Sequence, residues 1–291
     1  MQFKRKNSLL SAVLVPVAFA VCIPVLAQNV DTAGKSTQQI QAQAMAPDMR
    51  ASKVIGKQVK NPQGENLGKI EDLVINLGTE KLQYAVISSG GVLGMGDKLF
   101  AYPAELFKTT GGAEGKEEFI LAVDKEQLKK APGFERNRKP NWSLNTYRSQ
   151  VDSFFFKEDT AKRTTTGRLM SASDLLGKDV NDRAAHSAGE IEELVVNFGN
   201  GRTYAILDFD KAWNPDDKLL ALPLSAFTFP ARPDIDIFLN IQRDKIDMAR
   251  SFDENNWPNL NDAKYRNDLS GYLSSMQQQS DNTGRSSGGS K

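Results

Sequence analysis

Gly68-Lys69-Ile70-Glu71-Asp72-Leu73-Val74-Ile75-Asn76-Leu77-Gly78 returns further along the chain as Gly189-Glu190-Ile191-Glu192-Glu193-Leu194-Val195-Val196-Asn197-Phe198-Gly199. Each stretch is bounded by glycine and carries leucine and β-branched residues. Leu73, Ile75 and Leu77 share one face, the period of a strand with a buried side. The likeness continues outward. Ile55-Gly56-Lys57-Gln58-Val59 matches Leu176-Gly177-Lys178-Asp179-Val180, and Tyr84-Ala85-Val86-Ile87 matches Tyr204-Ala205-Ile206-Leu207. Asp97-Lys98-Leu99-Phe100-Ala101-Tyr102-Pro103 then answers to Asp217-Lys218-Leu219-Leu220-Ala221-Leu222-Pro223. Self-similarity in this order marks two copies of one structural unit.

Within a copy the residues read as short strands. Val54 to Lys60 is a strand, Asn61-Pro62-Gln63-Gly64 a turn, and Leu67 to Leu77 a long strand. Leu82 to Ser88, Leu99 to Tyr102 and Phe119 to Val123 follow as strands, and Asp124 with Gln127 opens a short helix to Lys130. Past the strands, Trp142 corresponds to Trp257, while Tyr147, Val151, Phe154 and Phe155 correspond to Tyr265, Leu269, Tyr272 and Leu273. Both sets fall on one helical face, so each copy is expected to end in a helix laid against its own strands. The expected fold is mainly β: two tandem small β-barrels, each followed by short helices. The first module spans 51–156 and the second 169–273. A charged, threonine-rich linker (157–168) joins them, and each module is expected to fold alone. Residues 28–50 and 274–291 are poor in large apolar side chains and read as disordered tails.

Residues 1–27 read as a signal peptide. Lys4, Arg5 and Lys6 form a basic start, Leu9 to Leu26 is almost wholly apolar, and Val25-Leu26-Ala27 offers a cleavage site before Gln28. Export to the periplasm follows, with membrane anchoring if the segment stays uncleaved and no transmembrane span once it is removed. The only cysteine, Cys22, lies in this segment, and bulky Val21 before it does not suit a lipoprotein site. The mature chain therefore has no disulfide and must be held by burial. Removing the three basic residues from 37 leaves 34 against 36 acidic ones, a net of about −2. That balance gives no reason to expect nucleic acid. One histidine and no remaining cysteine exclude the usual zinc, copper and iron ligand sets within one chain. No cofactor is expected.

The motif series Gly-Lys-x-Val, Gly-x-Ile-x-Asp/Glu-Leu-Val, Tyr-Ala-Val/Ile and Gly-Asp-Lys-Leu before a strand ending in proline, with Asp216 in place of that glycine in the second copy, resembles the PRC-barrel family, over roughly 52–107 and again over 173–227. That family takes its name from the H subunit of the photosynthetic reaction centre and includes the C-terminal domain of the ribosome maturation factor. The resemblance implies a small β-barrel that binds other macromolecules and carries no catalysis of its own. The familiar members place their barrels on the cytoplasmic side, whereas the signal peptide points this chain outward.

The candidate site residues are those of an interaction surface, with no catalytic or metal site among them. The loop Gly90-Gly91-Val92-Leu93-Gly94-Met95-Gly96 lacks the spacing and Gly-Lys-Ser/Thr ending of a phosphate loop and reads as a flexible hairpin, with Gly91, Leu93 and Met95 as possible contacts. Lys129, Lys130, Arg136, Arg138 and Lys139 form a basic run, against Asp253, Glu254, Asn255 and Asn256 in the second copy. Trp213, where the first copy has glycine, reads as an exposed loop anchor. His186 reads as a solvent-facing loop histidine despite its neighbour Ser187. Glu71, Asp72, Glu192 and Glu193 read as solvent-facing strand carboxylates or partner contacts, since neighbours on a strand cannot flank one bond. The expected function is a non-enzymatic binding or scaffolding protein of the cell envelope with a protein partner. A small-ligand or polyanion binder is the alternative, and an exported hydrolase ranks last.

Overall fold

A computed structural model describes residues 46–88, 98–110, 117–123, 125–156, 167–214, 216, 218–231, 235–243, 246 and 250–286. The first half contributes β1 (Asp48–Arg50), α1 (Ala51–Val54), β2 (Gln58–Lys60), β3 (Asn66–Asn76), β4 (Lys81–Ser88), β5 (Lys98–Pro103), β6 (Phe107–Thr110), β7 (Glu118–Leu121), α2 (Lys125–Lys130), β8 (Gly133–Glu135) and α3 (Asn145–Phe156). The second contributes β9 (Leu169–Ser171), α4 (Ala172–Leu175), β10 (Asp179–Asn181), β11 (Ser187–Asn197), β12 (Thr203–Phe209), β13 (Leu219–Pro223), β14 (Phe227–Thr228), β15 (Ile237–Leu239) and α5 (Ala263–Ser286).

The strands form two sheets. One runs β6-β7-β2-β3-β4-β5-β8 and the other β14-β15-β10-β11-β12-β13, the same sequence of partners but for β8. In both, the second strand of the half pairs parallel with a late strand, Val59 with Phe119 and Val180 with Ile237. Among the described residues no strand pair closes either sheet, so the expected barrels are open. The outer strands β6 and β14, at four and two residues, are too short to reach around.

A bulge bends each long strand at the same place. In β3 the register shifts between Ile70 and Asp72, and in β11 between Ile191 and Glu193. Glu71 and Glu192 are the extra residues that bend the strand. The glycines before the bulges are required by a close approach. A Cβ on Gly68 would lie 1.9 Å from the Ser88 carbonyl oxygen, and one on Gly189 1.9 Å from that of Asp208, with φ of 146° and 143°. No other residue fits either constraint.

The bulge also lets one strand edge take two partners. The start of β3 pairs with β2, while Val74, Ile75 and Asn76 pair with Ser171, Met170 and Leu169 of β9. Reciprocally, β1 pairs with β11 through Met49 and Val196. The halves therefore exchange their first strands. Asp48 fixes β1 in place: it is 3 % exposed, and its carboxylate accepts from Asn197 and Arg202, each at 2.7 Å, with Arg266 of α5 at 3.6 Å. The hairpin tips also pair across the halves. The Leu82 amide donates to the Gly201 carbonyl (2.7 Å) and the Thr203 amide to that of Glu80 (2.9 Å).

These contacts correct three expectations. Residues 46–50, assigned to a tail, include a buried strand. The second presumed tail is helical to Ser286, with Met276 buried, because α5 continues the stripe of Tyr265, Leu269, Tyr272 and Leu273. The limits at 51 and 169 do not follow the packing, since one apolar core runs through both halves: Phe198 meets Phe107 at 5.4 Å and Phe119 at 5.3 Å. Burying such a ring contributes about 2–3 kcal/mol. All described residues lie in one compact unit, Thr37–Lys291. Most of the linker, 157–166, lies outside the described residues. No described helix is long and apolar enough to cross a membrane.

Candidate functional site

The exchanged elements meet the strand carboxylates. The Ser173 amide donates to Asp72 Oδ1 at 3.1 Å and its hydroxyl to Oδ2 at 2.5 Å, and the Leu73 amide adds 2.8 Å. At the equivalent place Ser52 donates its amide (3.2 Å) and its hydroxyl to Glu193, with the Leu194 amide at 2.9 Å. Asp72 and Glu193 are 6 % and 4 % exposed, so they are not solvent-facing carboxylates. The bulge turns them toward the other half, whose serines satisfy them. Lys139, 3.5 Å from Asp72 and 3.2 Å from the Ser173 hydroxyl, supplies a cation to the first of these sites.

Beside each junction the sheet surface carries charge, and the signs differ. In the first half Arg136 pairs with Glu71 at 2.8 Å, and this hydrogen bond holds the Glu71 carboxyl below its ordinary range. Arg138, 3.9 Å from Glu135, is exposed beside it, and Lys130 is exposed at the end of α2. In the second half the bridge Leu219–Phe252 takes the place of the pair Leu99–Phe134, so Glu254 stands where Arg136 would be. Burial pushes the Glu192 carboxyl up, and the charges of Glu254, Glu190, Asp208 and Glu193 push it further. Arg50 lies nearby, its guanidinium 4.7 Å from the centre of the Trp257 ring.

Under the basic rim lies a wall of aromatic rings. Trp142 stacks on Tyr84 at 6.2 Å and meets the edges of Phe134 and Tyr147. Tyr84 donates its hydroxyl to Asp152 of α3 at 2.9 Å, while burial and that carboxylate raise its pKa. Helix α3 thus covers the outer face of the sheet as its stripe predicts.

Residues 47–128 match the PRC-barrel domain. The matched span runs from before β1 into α2, so it includes the strand given to the other sheet. No curated protein matches the chain.

The structure gathers some of the expected surface and disperses the rest. Arg136, Arg138 and Lys139 share one rim of the first half, past the end of the matched span, and Lys98 pairs with Glu135, so the stem of the glycine loop adjoins them. Gly91, Leu93 and Met95 lie outside the described residues, as does the side chain of Lys129. Trp213 is a correction. It is 9 % exposed and stacks on Phe209 at 5.8 Å, because a turn from Asp210 to Trp213 (2.7 Å) folds the loop back onto the sheet. His186 sits exposed in the β10–β11 turn with Asp182 at 3.4 Å. Among the described residues no group of acidic, histidine or cysteine side chains is placed to hold a metal ion. Sequence reasoning missed Ser52 and Ser173, although Met49-Arg50-Ala51-Ser52 and Met170-Ser171-Ala172-Ser173 carry the signal.

Proposed function

We propose that this chain is an exported, non-enzymatic scaffold of the cell envelope, built of two PRC-barrel-like halves locked into one body, that holds a protein partner on the rim of its first half. The observation that carries the reading is the match of residues 47–128 to the PRC-barrel domain, a module that suggests protein interaction, with exposed cations gathered on the rim of that half. The equal strand order of the two sheets supports counting the second half as another such module. The basic start and apolar run of residues 1–27 support export. Burial at the exchanged strands gives the body rigidity, and a rigid body holds a charged rim in fixed register with a complementary partner.

Crosslinking in intact cells with a tagged full-length chain tests this. The variant Arg136→Glu/Arg138→Glu reverses two exposed charges without touching the core. One envelope protein captured by the wild type and lost from the variant is the expected result. Capture that the reversal leaves unchanged refutes the rim, and sequencing the mature N-terminus checks export separately.

A further inference from the structure

A cavity of about 520 Å3 opens in the second half between the β10–β11 turn, the loop after β12 and the chain beyond β15. Trp213, Leu239 and Ile241 line it, and Arg183, His186 and Arg243 stand around it. We propose that it binds a small aromatic carboxylate, the ring against the Trp213 indole and the carboxylate between the two arginines.

The indole is held ready. Phe209 stacks on it at an interplanar angle of 24°, the amides of Trp213 and Asn214 donate to the Asp210 carbonyl at 2.7 and 2.9 Å, and buried Asn214 donates to the Lys218 carbonyl at 2.9 Å. The part of the indole that lines the cavity is small but already fixed, so a planar ring gains contact there without ordering cost. The one carboxylate among the lining residues is already engaged: Asp182 accepts from the amides of Ala184 (2.7 Å) and His186 (2.9 Å). Arg183 and Arg243 have no side-chain hydrogen bond or ion pair among the described residues. Two guanidinium groups with free donors select a planar oxyanion, which each can hold with paired N–H bonds.

The side chains on the turn beside the cavity differ between the two halves. The five-residue turn recurs in the first half, where Asn61 and Glu65 close it as Asp182 and His186 do here. There Pro62 and Glu65 occupy the places of Arg183 and His186, removing the guanidinium and the imidazole. The second turn also keeps Ala185 at φ 61° where the first has Gly64 at 82°, so the shape persists against the preference of its residue.

The test is titration of the 15N-labelled full-length protein with naphthalene-2-carboxylate and, separately, with neutral naphthalene-2-carboxamide. The indole N–H resonance of Trp213 is the readout, with those of Trp142 and Trp257 as internal controls. The expected result is a saturable shift confined to Trp213, at least tenfold weaker binding of the amide, and a similar loss in Arg183→Gln/Arg243→Gln. No Trp213 shift at millimolar acid overturns the site. Equal binding of acid and amide, or an unaffected double variant, overturns the assigned ligand class.

Discussion

Glu71 and Glu192 hold the same bulged position in their strands and titrate in opposite senses. Arg136 lowers the first, whereas burial and surrounding carboxylates raise the second. A carboxyl whose folded pKa is lowered adds stability above its unfolded value, and this is lost as pH falls through the folded pKa. One whose pKa is raised costs stability above the folded value, and the cost vanishes as pH falls below the unfolded one. Glu71→Gln should therefore destabilise at neutral pH, by less than about 1 kcal/mol because its ion pair is partly exposed. Glu192→Gln should stabilise there. Both effects should fade in acid, with urea midpoints against pH as the measurement; two changes of the same sign would contradict the assigned environments. At this scale the sequence carried identity but not surroundings. The repeat made the two glutamates equivalent and set the basic run against Glu254, yet which of these charges reaches each glutamate depends on strand pairings that no local pattern announces.

The long strands show how an element can exceed its own pattern. Alternation in β3 holds from Gly68 to the bulge, after which Asp72 to Asn76 are all buried, one face by the core and the other by α3 and β9. The position of the strand and the helical stripes of α3 and α5 were legible because period and side-chain type agree over a dozen residues. Elements of three or four residues were not. Strand β1 and helix α1 are too short to show a period, and whether they cover their own sheet or another is settled by tertiary contacts alone. Nor does residue type tell a loop tryptophan turned outward from one folded back on Phe209. The serine in each exchanged element carries a measurable part of the junction. Ser173→Ala removes a hydroxyl donor from a buried carboxylate and should cost about 2 kcal/mol. Paired with Asp72→Asn, the loss should be less than the sum of the single changes. Additive losses in chemical unfolding would place the serine's contribution elsewhere.

On the scale of the whole molecule, the reciprocal exchange ties the folding of each half to that of the other. Residues 51–156 alone lack β1, whose place is on β11, and leave the edge of β3 without β9 and Asp72 without Ser173. The two losses at β3 uncover backbone and a carboxylate that the complete chain satisfies, at about 1–3 kcal/mol apiece. Together they exhaust much of the margin of a small domain. The complete protein should then unfold in one transition, with equal calorimetric and van't Hoff enthalpies. A protease site placed within 157–166 makes the stronger test, because it cuts the covalent link and spares the exchanged strands. After cleavage the halves should co-elute on gel filtration. Each half purified in urea and refolded alone should melt without cooperativity, and mixing should restore the single transition. Halves that elute apart after cleavage and melt cooperatively would mean that the exchange decorates two self-sufficient domains, and the rims would then move independently.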